Sequence, residues 1–162
     1  MKLRSMLVLS VVVSVPLVVT ADPDVKELGL KFTGDGYFAV EYEYLGEVLV
    51  SMVFSPATGV DLLDVSHLGE SEVAWEIRVE PDFTFIDGWF TITGPNGRDS
   101  LVGDYSSFVM GDGTYTLGWD FTGGTGRFED ADGTGLTNGV VNLGTGYAQF
   151  EFSAAITVPK DN

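Results

Sequence analysis

Between Phe121 and Leu136 the chain reads FTGGTGRFEDADGTGL, which sets glycines at every second or third position beside one arginine and three carboxylates. Residues of these types have three uses: glycines ahead of a helix cradle phosphates, acids at alternate positions ligate calcium, and glycines alone turn the backbone. The dinucleotide fingerprint would need glycines at 124, 126 and 129, but Glu129 fills the last place and no helical period follows. The Gly-Lys-Ser/Thr ending of a phosphate loop is absent as well. Asp130, Asp132, Thr134 and Gly135 match the first half of an EF-hand loop, yet the position of its closing bidentate acid holds Val141. Asp130 and Asp132 therefore stand only as weak calcium candidates, and no cofactor is expected. The preferred reading is a structural turn. Gly123, Gly124 and Gly126 supply backbone conformations closed to other residues, Arg127 pairs with a carboxylate or carbonyl, and Phe128 drops into the core.

Other reactive side chains are sparse. His67 is the single histidine, no serine lies in a nucleophile elbow, and one histidine without cysteine falls short of a zinc site. Carboxylate pairs are unavoidable among 24 acids and so carry no information about glycoside hydrolysis. The alternating Glu76, Arg78 and Glu80 read first as a solvated strand face. His67, Glu76 and Arg78 become ligand-binding candidates only if a wide barrel turns them inward. No catalytic residue is assigned, and the balance is against an enzyme.

The elements that must position these residues follow a period of two. In YFAVEYEYL the apolar set is Phe38, Val40, Tyr42 and Tyr44; in VAWEIRVE it is Val73, Trp75, Ile77 and Val79. TYTLGWDF and AQFEFSAAITV repeat the alternation, whereas EVLVSMVF is apolar on both sides and predicts a strand covered on both faces, by the N-terminal segment or another subunit. Breaks at Gly34-Asp35-Gly36, Leu45-Gly46, Pro56 to Gly59, Pro81-Asp82, Gly94 to Gly97, Gly111 to Gly113 and Gly144 to Gly146 divide the chain into eight to ten strands. A slip of phase in FTFIDGWFTI places a bulge or kink near Asp87-Gly88. The fold class is all-β: an antiparallel up-and-down barrel of about eight strands, with a two-sheet sandwich as the alternative.

Lys2 and Arg4, the apolar run Met6 to Val19 and the small residues Val19-Thr20-Ala21 form a secretory signal peptide over residues 1–21, too short to span a bilayer. Residues 22–162 then make a single β-barrel domain, secreted or periplasmic, held by packing because the chain has no cysteine. That mature segment carries six Lys and Arg against 24 Asp and Glu, a net charge of −18. Such a surface repels phosphates, so nucleic acid is excluded as a partner and, once the signal is removed, so is the membrane.

TGGTGRFEDADGTG, set between the alternating strand GTYTLGWDF and a last amphipathic strand, resembles the GGTGRF signature of small secreted bacterial proteins in the allene oxide cyclase and dirigent superfamily of eight-stranded barrels. VSHLGES and FTITGPNGRDSLVGDY are similar to further stretches of that group, so the resemblance runs from about Asp64 to Val158. Arg98 after Gly97, and the acids Glu129 and Asp130, depart from the pattern. The resemblance implies a barrel; it implies no functional residue.

Three functions are compatible with these features. The first is a secreted barrel binding a small apolar or aromatic ligand without turnover. The second is a cyclase-like or dirigent-like enzyme acting by confinement. The third is an interaction module of the cell envelope or extracellular space, with a homo-oligomer among its forms. A pocket below about 300 Å³ would weigh against a ligand, an inward charged group of perturbed pKa would favour the enzyme, and an exposed patch of Leu49, Ser51 and Val53 would favour a partner.

Overall fold

The computed structural model describes residues 24–160; the expected signal peptide, residues 1–21, lies outside them. Nine antiparallel strands follow in chain order: β1 Val25–Leu45, β2 Val48–Pro56, β3 Asp61–Val65, β4 Gly69–Val79, β5 Phe85–Thr93, β6 Ser100–Met110, β7 Thr114–Thr125, β8 Asp132–Asn142 and β9 Tyr147–Pro159. Each neighbour in the order β2-β1-β9-β8-β7-β6-β5-β4 is hydrogen-bonded to the next, and β2 pairs again with β4 through Met52–Val79 and Phe54–Ile77. That pairing closes a ring of eight strands and leaves the ring without a free edge along most of its circumference. The short β3 continues the line of β2 along the lower half of β4, and Ser66 ties its end to β1 by donating its N–H to the Lys31 carbonyl at 3.1 Å.

Alternation explains why these segments are strands. Phe90, Ile92, Leu101, Leu117, Phe121 and Ile156 face inward with almost no exposure, while residues of the opposite phase such as Asp104, Asp120 and Glu151 face water. The rings interlock inside: Phe90 lies 4.4 Å from Trp119, and Trp119 lies 4.6 Å from Phe152. Trp119 buries its polar edge too, donating its indole N–H to the Thr137 hydroxyl at 2.8 Å.

Several expectations are corrected. Gly34-Asp35-Gly36 does not break the chain; β1 runs through it. The two glycines are there because a Cβ at Gly34 would stand 2.5 Å from Leu63 Cδ2 and one at Gly36 would stand 3.2 Å from Asp61, so only glycine lets β3 lie against β1. Tyr42 and Tyr44 keep the inward phase of Phe38 and Val40 but are 57% and 61% exposed, because β1 and β2 continue as a two-stranded ribbon beyond the barrel. From Ser51 to Phe54 both faces of β2 are covered from within the chain, while Val48 and Val50 are exposed. Met52 and Phe54 enter the core, while Val53 pairs with Arg78, which reaches across to Glu43, the carboxylate to which the Ser51 hydroxyl donates. Ser51 and Val53 are therefore buried and Leu49 half-buried, so the three form no exposed patch. The bulge expected near Asp87-Gly88 is present, at Ile86, between Phe85 opposite Val79 and Asp87 opposite Arg78.

Candidate functional site

The barrel has two unlike ends. At the lower end lie the β3–β4, β5–β6 and β7–β8 connections, and the glycine-rich stretch closes it. Gly126 to Phe128 form one turn of 3-10 helix, with Gly126 at φ 61° and Asp130 at φ 60°, and Phe128 is 2% exposed, plugging the core. A Cβ at Gly124 would stand 2.7 Å from the Phe128 carbonyl, so the chain can turn this sharply only on glycine. Arg127 donates from Nε to Asp99 at 2.7 Å and from its backbone N–H to the same carboxylate at 3.1 Å, and it reaches the His67 carbonyl at 3.3 Å. The Arg127 backbone and guanidinium, joined by Asn96, hold the Asp99 carboxyl below its usual pKa. Among the described residues no three acids or histidines lie close enough to hold a metal ion, those around Asp130 and Asp132 included.

At the upper end, bounded by the β6–β7 and β8–β9 turns, the interior opens into a cavity of about 90 Å³. Ten of its twenty lining residues are aromatic, among them Phe38, Trp75, Tyr105, Phe108, Tyr115 and Trp119. Tyr37, 62% exposed, stands at the rim beside Tyr147, whose hydroxyl donates to Asp35 at 2.7 Å. One ionisable carboxylate reaches this cavity. It is Asp61, the first residue of β3, which accepts the Trp75 indole N–H at 2.7 Å. Burial raises the Asp61 pKa, with the Trp75 bond opposing. Burial, reinforced by the Asp61 charge, also holds the Tyr105 and Tyr115 phenols well above their usual values, so both stay neutral. Neither hydroxyl is hydrogen-bonded to another described residue.

The three residues singled out from sequence as ligand candidates do not meet. His67 sits in the β3–β4 turn at the lower end with φ 70°. Glu76 and Arg78 lie on the outer face of β4, where Arg78 stands 3.5 Å from Glu43, 3.6 Å from Asp87 and 4.0 Å from Glu76. None of the three lines the cavity. The residue that sequence reasoning missed is Asp61. Its signal is present in DLLDV, where an acid occupies the same alternating phase as the core residues Leu63 and Val65.

No family model matches this chain, and no curated protein matches it. Solved structures do. The pterocarpan synthase dirigent protein GePTS1 superposes with a TM-score of 0.57 over 85% of this chain and 87% of its own, at 16% identity. A second, the pterocarpan synthase dirigent protein PsPTS1, gives 0.54 over 88% and 100%, at 13% identity. The fold is that of the dirigent barrel. At such identities the likeness concerns the path of the backbone, and the side chains of the upper cavity must speak for this protein's chemistry.

Proposed function

We propose that this protein is an exported dirigent-fold barrel that receives a small apolar or aromatic group in its upper cavity and does not turn it over. The observation that carries this reading is the cavity wall: half of its residues are aromatic, and its polar groups are few and converge around Asp61. The volume narrows the ligand. About 90 Å³ falls below the mark of about 300 Å³ and so weighs against enclosing a whole drug-sized molecule; what it admits is a ring or compact head group, with the remainder at the rim near Tyr37. Export rests on the signal-like residues 1–21 and on the strong negative charge.

One observation favours a second reading, an enzyme acting by confinement. Asp61 is an inward carboxylate of raised pKa in an apolar setting, the kind of group that takes or gives a proton, and the similar structures are named as synthases. Binding is preferred because confinement needs a substrate to be enclosed, and the cavity is too small to enclose one. Native mass spectrometry of protein secreted by its producer tests both readings and reports the oligomeric state. A bound compound, recovered unchanged after re-incubation with the stripped protein, supports binding; recovery of an isomer supports the enzyme. Protein that carries nothing and takes up no compound from its producer's medium contradicts both.

A further inference from the structure

A carboxylate drawn partly out of water, as half-buried Asp61 is, gains from a cation set beside it. Among the described residues Asp61 has no such partner. The six basic side chains of the described residues, Lys26, Lys31, Arg78, Arg98, Arg127 and Lys160, all lie away from the cavity, and so does His67. Its one hydrogen bond comes from a neutral donor, the Trp75 indole, which orients the carboxylate without compensating its charge. Facing the same space are the rings of Trp75, Tyr105, Tyr115 and Trp119, whose π faces attract positive charge. A carboxylate set among aromatic rings, with no internal counter-ion, is complementary to an organic cation. It opposes an anion outright and offers a neutral ring only contact area.

We infer that the upper cavity selects a small organic ammonium group, a primary or quaternary amine head borne on an apolar body, which Asp61 neutralises while the surrounding rings enclose it. This rests on the proposed binding function and specifies its ligand class. Size agrees: a cavity of about 90 Å³ takes a compact head group and leaves the apolar body at the rim. So does the long-range field, because a net charge of −18 over residues 22–162 raises the local concentration of cations and depresses that of anions.

Three probes of similar size, benzylammonium, benzyl alcohol and benzoate, and the smaller tetramethylammonium test it, each titrated into the purified protein at high salt to screen the acidic surface. The readout is the NMR resonances of the Trp75 and Trp119 indole N–H groups. Both cations are expected to move these signals, benzylammonium binding at least about tenfold more tightly than benzyl alcohol, with benzoate inert. Asp61→Asn keeps an acceptor for Trp75 and should bring benzylammonium and benzyl alcohol to within about twofold of one another, without disturbing the rest of the spectrum. Equal binding of the alcohol and the ammonium by the unmodified protein, or a cation preference that survives Asp61→Asn, would overturn the inference and leave the binding function standing. If none of the probes shifts the two indoles, the inference and the binding function both fall.

Discussion

Asp61→Asn should make the protein more stable at neutral pH, an unusual outcome for replacing a partly buried, hydrogen-bonded residue. The carboxylate gives up hydration on entering the cavity wall and recovers one bond, the 2.7 Å contact from Trp75. Asparagine keeps that contact as a neutral acceptor, sacrificing about 1 kcal/mol of charge assistance. It also removes the cost of desolvating an ion, which reaches several kcal/mol for full burial and is smaller here because the group is only partly enclosed. The balance favours asparagine by about 1 kcal/mol, or ~2–4 °C in Tm for a chain of this size. The sign with pH is fixed by the raised pKa. The burden exists while Asp61 is ionised, shrinks as pH falls through the raised value, and is gone below about pH 4, the ordinary carboxylate range. Thermal melts of the two proteins at pH 7 and pH 3 check it: the variant should lead at pH 7 and coincide with the unmodified chain at pH 3. A variant less stable by the same amount at both values would show that Asp61 is an ordinary structural partner, and would remove the basis for giving it a ligand.

Other perturbations probe the opposite end and the seams of the barrel. Phe128→Ala should cost ~3–5 kcal/mol by emptying the plug, read as a Tm fall of about 10 °C, because the side chain is 2% exposed. Asp99 has a depressed pKa, so its contribution is present above the ordinary carboxylate value and lost as pH falls through the depressed one; Asp99→Asn should flatten the acid limb of the stability curve below about pH 4. Gly103→Ala should prevent normal folding, since a Cβ there would stand 2.6 Å from Phe90 Cζ and collide with the Asp120 carbonyl; loss of the folded NMR spectrum is the check. Trp75→Phe should cost ~1–3 kcal/mol by leaving Asp61 without its donor, and the loss should be smaller at pH 3 than at pH 7.

Strand alternation made the barrel legible, because parity alone places Phe121, Phe152 and Ile156 inside and Glu76 and Arg78 outside. Tight turns such as Gly94 to Gly97 were legible for a similar local reason: the Gly97 N–H closes on the Gly94 carbonyl at 2.9 Å and Gly97 takes φ 63°. Long-range pairing was not. Gly34 and Gly36 read as a break because a small residue in a strand and a small residue in a turn look alike until Leu63 and Asp61 are known to lie against them. The exposure of Tyr42 and Tyr44 was hidden too, since their phase is right and only the length of β1 relative to β9 carries them past the rim. Asp61 was not legible because a strand face is marked by its apolar residues, and in DLLDV a charged residue occupies the apolar phase.

The upper cavity as the place of binding is most directly tested by a crystal structure of the protein soaked with benzylammonium. The expected result is electron density for the head group between Asp61 and the rings of Trp75 and Tyr115, with the apolar body directed toward Tyr37. Density for the probe only on the outer surface, with the cavity filled by shifted Met110 or Tyr37 side chains, would contradict it.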